Sequence, residues 1–403
     1  MKKTIKLAVA AALALGTTSA FATNGATLIG EGAKTRGMAG TGIGMSHGAE
    51  SALVNPALIT SVEGTEISFG GTLFMPKVSN TNNLGGPDSS ANSAADMNVI
   101  PEVSLASKVN DNFYWGIGMW GTGGMGVDYR TTAVAASGGT QMQMVTNLQI
   151  MQFGVPLAYK NNGLSVAVTP IIQYGSLDIN YENPNTSVIV GAGVAQDLEF
   201  GYSIGLAYEM SGLTVGAVYK SQIDMEYKGV LSTAVTPFNG GYTNDKLSTP
   251  AEIGIGASYK FGESTVAVDY KQIKWSSAKG YEDFEWDDQN VISVGYEYAT
   301  DDWSARIGYN YSKSPISEKS ATFTNSVNLS GPVINTFNLL GFPAIVQSHI
   351  AVGGTYNFSK TTSLDLAYAY APETKETFTN FASQDITTKH HQSSISMQLN
   401  YAF

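Results

Sequence analysis

Cysteine is absent from the 403 residues, histidine occurs four times, and only 14 % of residues are charged. An average soluble domain carries roughly 25 % charge. Without cysteine there is neither a disulfide framework nor a thiolate zinc site. His47, His349, His390 and His391 form no HExxH pair. No catalytic or metal-binding residue is therefore assigned, no cofactor is expected, and the chain does not read as an enzyme. Acidic residues outnumber basic ones 33 to 22, so the basic face of a nucleic-acid binder is missing. Beyond the extreme N-terminus no apolar run approaches the ~20 residues of a membrane helix.

Gly (44), Tyr (21) and small polar residues take the place of charge, and mean hydropathy is −0.04. The N-terminus opens on Lys2, Lys3 and Lys6, continues through an apolar stretch from Leu7 to Leu15, and reaches Ala20-Phe21-Ala22. This is the pattern of a signal peptide over residues 1–22 with a small-x-small cleavage site. An uncleaved membrane anchor would need a longer core. Removal leaves Thr23 first, with 19 basic against 33 acidic residues and net charge −14.

From about residue 65 onward the chain alternates with period two. Ile395, Met397, Leu399, Tyr401 and Phe403 alternate with Ser394, Ser396, Gln398 and Asn400; Leu198 to Tyr208 and Trp303 to Tyr311 repeat the pattern. Strands place successive side chains on opposite faces, so each segment has one apolar and one polar face. Short turn signals at 110–112, 161–163, 211–212, 262–263, 301–302 and 359–360 alternate with long connections near 78–97, 122–144, 180–196, 228–248, 276–289, 315–344 and 373–388. About fourteen strands follow, joined by six short turns and seven long loops. An all-β, antiparallel transmembrane β-barrel has that strand parity and that short–long alternation. Trp115, Trp120, Tyr219, Tyr259, Trp275, Tyr311, Tyr370 and Tyr401 fall near strand ends, as interfacial girdles would. A large secreted β-sandwich or propeller is the competing architecture. The barrel reading covers residues 64–403, and the aromatic end at Phe403 fits a strand read by a barrel-assembly machinery.

Residues 23–63 do not alternate. They are too Gly-rich for a long helix and too apolar for a free tail. Fourteen strands enclose a lumen wider than side chains alone can fill, so a compact hatch inside the lumen is expected; a tail folded elsewhere is the alternative.

The stretch Gly37-Met38-Ala39-Gly40 … Ala49-Glu50-Ser51-Ala52 … Asn55-Pro56-Ala57-Leu58 resembles the N-terminal hatch of the FadL-type family of outer-membrane hydrophobic-compound transporters (FadL/TodX). In order along the chain, Lys108-Val109-Asn110, Tyr114 to Gly118, Thr249-Pro250-Ala251, Asp269-Tyr270 with Trp275-Ser276, Arg306 to Tyr309, and Asp365 to Tyr368 are similar as well. The resemblance implies a fourteen-stranded barrel in the outer membrane of a Gram-negative bacterium. It implies uptake of long-chain fatty acids, alkanes or aromatics, caught by apolar extracellular loops, bound against the hatch and released sideways at a kinked third strand. An apolar molecule gains roughly 0.8 kcal/mol per CH₂ on leaving water, which a polar pore cannot supply. A general polar porin and an outer-membrane lipid hydrolase are the competing functions. Lipid and lipopolysaccharide are the expected surroundings, and a monomer the expected state.

Candidate residues follow from these readings. Glycine inside a strand weakens pairing and marks bends, which points to Gly116, Gly118 and Gly121 as the kink; alternatively these glycines only lighten the lumen face. Val188 and Val190, and Leu231 and Phe238, lie in apolar loop runs that fit capture of substrate or packing within a cap, and 333–345 is a third such run. Lys220, Lys260, Lys271 and Arg306 face inward on the alternation; Lys271 and Arg306 are candidates for a carboxylate partner, in competition with ion pairs to Asp269, Glu297 or Asp365. Thr23, Asn24 and Gly25 are candidates to touch the pocket, whereas Asn55, Pro56 and Ala57 shape the hatch. The acidic loop 282–288 lacks EF-hand spacing.

Overall fold

The computed structural model describes residues 24–84, 87–131 and 140–403; the expected signal peptide and Thr23 lie outside them. One antiparallel sheet of 17 strand segments closes on itself. It makes fourteen crossings: β1 Thr65–Asn82, β2 Asn98–Lys108, β3 Phe113–Asp128, β4 Val145–Gly154 continued by Leu157–Asn161, β5 Leu164–Glu182, β6 Ala195–Met210, β7 Leu213–Lys220, β8 Glu252–Phe261, β9 Ser264–Ile273, β10 Gln289–Ala299, β11 Trp303–Ser312, β12 Ser348–Asn357, β13 Thr362–Thr379 and β14 Asp385–Ala402. The break in β4 falls at Val155–Pro156, where proline has no N–H for the ladder. Two short strands, Ser89–Asn92 and Ile189–Gly191, belong to loops. β1 meets β14 from Glu66↔Ala402 to Asn82↔Ile386, which closes the sheet. Lipid offers no hydrogen bonds to a sheet edge, and closure is the solution open to strands.

The alternation sorts the two faces. Phe69, Phe200, Ile255 and Met397 are more than half exposed on the outer wall, while Ser68, Ser203 and Ser396 are buried inside. Trp115, Tyr219, Tyr259, Tyr311, Tyr370 and Tyr401 lie exposed on the outer surface, but Trp120 and Trp275 do not. Trp120 is folded inward over Gly118 and Gly154, whose missing side chains leave room for its ring. Trp275 packs edge-on against Tyr281 and Trp286 with its Nε1 donating to Gln289 at 2.8 Å. The long connection expected at 373–388 is instead a tall hairpin. β13 runs to Thr379 and β14 resumes at Asp385, because their polar alternation continues beyond the apolar belt.

Residues 24–63 occupy the lumen as short pieces: α1 Ala33–Gly37, α2 Ser51–Val54, and 3-10 turns Gly48–Glu50 and Pro56–Ser61. Buried polar contacts dock them. Arg36 forks onto Glu102 of β2 at 2.5 and 2.8 Å and donates to Thr72 of β1. Asp269 of β9 accepts the backbone N–H groups of Gly42 and Ile43, each at 2.7 Å. Glu50 accepts from the Thr35 N–H and from Gln398 of β14. Asn55 caps the Pro56–Ser61 turn by accepting from the Ala57 N–H, while its amide donates to Ile43 O and to Leu206 O of β6. The hatch backbone touches the wall at Gly44 and Gly308, where an added Cβ would strike the backbone of Ala257 and Met38.

Arg36 and Glu102 are almost wholly buried. Arg36→Met strands a buried carboxylate, a loss expected to cost about 3–5 kcal/mol. The expected outcome is faster hydrogen exchange across residues 24–63 with the barrel's heat-modifiable gel migration kept, and recovery of protection in the Arg36→Met, Glu102→Gln double variant.

Candidate functional site: an interrupted wall backed by the hatch

The wall is irregular between β2 and β3. Their ladder runs from Lys108↔Tyr114 to Glu102↔Trp120 and stops. The next residue on β2 is Pro101, which has no N–H to offer a neighbour. On its other side β3 stays paired with β4, but with a register shift between Gly121 and Gly123. A bulge bends its strand and increases twist. Up to Met119 the outward side chains of β3 are at least partly exposed; from Trp120 to Tyr129 every residue is buried. The bend has carried that half of the strand out of the lipid-facing surface.

Hatch residues take the position that β2 vacates. The Leu28 N–H donates to Thr122 O at 3.2 Å, the Gly124 N–H donates to Ala26 O at 2.9 Å, and Thr27 bridges to Gly123. A Cβ at Gly123 would strike Ala26 O, and one at Gly121 would strike Ile100 of β2. Leu28, Phe74 and Ile100 form an apolar cluster beside the interruption. Toward the loop end β3 meets the chain before β2 again, through Ala94 N–H to Asp128 O at 2.8 Å. Of the three glycines expected at a kink, Gly121 sits at the register shift. Gly116 and Gly118 lie in regular pairs with Ala106 and Ser104. Gly123 is the position that sequence reasoning passed over, although it stands in the same glycine run.

The segment before this contact crosses the lumen. Asn24 is fully buried and accepts from Ser312 of β11, and Gly25, at φ 66°, lies against the Trp275 ring. Two small cavities flank the segment. One, of about 30 Å³, is lined by Thr27, Gly123, Gln152, Lys220 and Glu252; the other, of about 10 Å³, lies by Leu28, Ile29, Ile100, His349 and Gln392.

The basic candidates are already partnered. Arg306 contacts Glu297 at 2.6 Å and Asp365 at 3.9 Å and donates to Thr355. Lys271 and Lys220 share Glu252 at 3.6 and 3.7 Å, and Lys220 also meets Glu31. Lys260 is exposed. The pairing of Arg306 with Glu297 and Asp365 follows the competing sequence reading; Asp269 is used by the hatch backbone instead. Among the acids of loop 282–288, Asp283 accepts from Tyr242 and Asn244, and Asp288 from Lys274 and Ser276.

A cap closes the loop end. Leu231 is buried on the short helix α3, Val230–Val235, whose first turn is held by Asp245 accepting from the Gly229 and Ser232 N–H groups. Phe238 is partly buried against Tyr181, Phe337 and Phe381. Val188 and Val194 stay exposed, whereas Val190 packs against the cap. The third apolar run forms α4, Gly331–Thr336, and a wide turn Phe337–Gly341 that descends into the lumen. There Thr146 of β4 donates to Gly341 O and Thr388 of β14 to Leu339 O, at 2.5 and 2.7 Å.

Residues 8–325 match the family model described as outer membrane protein transport protein (OMPP1/FadL/TodX). The long-chain fatty acid transport protein of Salmonella typhi is 24 % identical over 396 residues, covering 82 % of this chain and 85 % of its own. Among solved structures, a Pseudomonas aeruginosa FadL homologue superposes with TM-score 0.70 at 15 % identity, covering 94 % of this chain and all of its own. The P. putida toluene transporter TodX superposes with TM-score 0.68 at 17 % identity, over 93 % and 99 % of the two chains. The chain is a barrel of the outer membrane and belongs to the OMPP1/FadL/TodX family of outer-membrane transport proteins.

Proposed function

We propose that this protein carries long-chain fatty acids or other hydrophobic compounds across the outer membrane and releases them sideways through the wall between β2 and β3. The observation that carries the reading is the substitution of hatch backbone for barrel backbone at Thr122–Gly124. Sheet hydrogen bonds inside a barrel wall have no competing solvent. A seam made with a movable hatch segment opens when that segment withdraws, while the β3–β4 ladder continues to hold the far side. Leu28, Phe74 and Ile100 give the seam an apolar lining suited to an alkyl chain or an aromatic ring.

Capture belongs to the extracellular cap. Val188, Ile189 and Val194 expose apolar side chains at its rim, and Leu231 and Phe238 pack behind them. Exposed apolar patches of this kind mark binding surfaces. The two cavities that flank Asn24–Leu28 are too small for a substrate in the closed state, so this segment moves during passage. Neither Arg306 nor Lys271 is free to hold a carboxylate without giving up an acid, which weighs against an ionic anchor at those two positions. Asn24 and Gly25 hold the crossing segment in place, and Asn55, Pro56 and Ala57 shape the hatch. The exposed C-terminal Phe403 closes the sheet with Thr65 by two backbone bonds and fits recognition by assembly machinery. With its lumen filled and capped, the chain is read as a transporter and not as a polar pore or a hydrolase.

Gly121→Leu drives a side chain into Ile100, and is expected to abolish uptake of radiolabelled laurate and toluene by cells lacking other such transporters. Outer-membrane insertion and heat-modifiable migration should be unchanged; uptake at the wild-type rate would remove the lateral route. Wild-type protein in liposomes should give no swelling with sugars, whereas swelling would identify a polar pore. Val188→Asp with Val194→Asp is expected to raise the half-saturating substrate concentration several-fold while leaving the maximal rate near wild type, read in the same uptake measurement.

A further inference from the structure

The cavity beside Leu28 carries chemistry that neither hatch docking nor an apolar passage uses. Two of its lining side chains, His349 of β12 and Gln392 of β14, are each 2 % exposed. They stand on inward positions on either side of Ala371 of β13, whose small side chain lets them meet at 2.8 Å between Nε2 of His349 and Nε2 of Gln392. Each then retains a buried atom with no partner, Nδ1 of His349 and Oε1 of Gln392. The contact uses one donor and one acceptor. With the amide N–H of Gln392 donating to Nε2 of His349, an N–H on Nδ1 and a carbonyl oxygen are free. With the amide turned over, a lone pair on Nδ1 and an NH₂ are free. Either way the pair presents one donor atom and one acceptor atom.

Polar atoms buried without partners are costly, at about 1–3 kcal/mol each, and are rare unless a ligand or water answers them. Leu28, Ile29, Phe74, Ile100, Ala369 and Ala371 give the lining its apolar part; of the hydroxyls that also border it, from Thr72, Ser393 and Ser394, that of Thr72 is already bonded to Arg36 and Ser396. Arg36 also borders the cavity, but its charge is committed to Glu102 through a two-bond fork. A carboxylate anion entering here meets no free cation. A group that gives one hydrogen bond and takes one is matched on both counts.

We propose that His349 and Gln392 form a head-group subsite for an uncharged amphiphile, a protonated fatty acid or a fatty alcohol, whose chain lies along Leu28, Phe74 and Ile100 toward the wall interruption. The inference rests on the transport reading above and narrows its substrate class, because a hydrocarbon leaves the pair unanswered. In the closed state the cavity is about 10 Å³, near the limit for one water. The head group enters as Leu28 and Ile29 withdraw with the hatch, in the same motion that opens the seam.

The test uses purified full-length protein in nanodiscs with four probes: laurate, dodecanol, dodecane and toluene, with binding read by native mass spectrometry and tryptophan quenching. His349→Phe and Gln392→Met should each weaken laurate and dodecanol by about tenfold and leave dodecane and toluene within twofold of wild type. The double variant should lose no more than either single one, since the pair acts as a unit. Equal losses for all four probes, or no loss for any, would overturn the subsite and leave the transport reading standing. A wild type that binds none of the four fails the transport reading itself. If a variant does not fold, judged by heat-modifiable migration, the infrared band of ¹³C-carboxyl laurate bound to wild type decides: a protonated-acid carbonyl is expected at neutral pH, and a carboxylate band overturns the proposal.

Discussion

Every backbone N–H and C=O that crosses lipid must be paired within the protein, and the rest of this structure depends on how that requirement is met. Seventeen pairs between β1 and β14 close the sheet and remove its edges. The requirement also holds where the wall is irregular. At Gly121–Gly123 β3 turns inward and leaves β2, and its backbone is completed by the hatch at Ala26–Leu28. The same need for satisfied hydrogen bonds that closes the barrel is met at this seam by a segment of the hatch in place of a barrel strand. Closure of the barrel and the seal at its interruption therefore answer a single constraint, applied to two kinds of neighbour.

The sparse charge of the chain is spent in the lumen on structure. Arg36–Glu102, Arg306 with Glu297 and Asp365, and the group of Lys220, Lys271, Glu252 and Glu31 tie hatch to wall or strand to strand. Buried pairs of this kind contribute little over apolar packing but are expensive to break. They hold most of the hatch in register, while its first residues are held by backbone bonds to β3, by the bond from Ser312 to Asn24 and by the packing of Leu28 on Phe74 and Ile100. Asn24–Leu28 carries none of these ion pairs, and Ala26–Leu28 within it seals the seam.

The cap follows a different principle. Leu231, Phe238, Phe337, Leu339 and Leu340 pack as a soluble core does, out of water and out of lipid. An apolar molecule arriving from outside offers those side chains the contacts they offer one another. Replacement of one apolar partner by another costs little, so under the proposed transport function the cap would admit apolar cargo at small cost.

Much of this was legible in the residues. Period-two alternation, six short turns and the aromatic end at Phe403 define the strands, because a side chain facing lipid and one facing the lumen cannot be exchanged. The glycine run of β3 marked a weak strand. What local pattern could not decide was each contact distant in sequence. Arg36 reads as an ordinary basic residue until folding brings Glu102 beside it, and Asp269 as a lumen ion-pair candidate until it meets the amides of Gly42 and Ile43. Trp120 and Trp275 sit at girdle positions on the alternation yet turn inward, because Gly118 and Gly154 leave space for one and Tyr281 and Trp286 receive the other. His349 and Gln392 lie 43 residues apart and show nothing in common along the chain. The sequence by itself determined a closed outer-membrane barrel with a filled lumen, since periodicity and turn spacing are local properties. Only the tertiary structure decided where the wall is interrupted, what seals it and which polar atoms remain unanswered there, since those depend on which strands barrel closure makes neighbours.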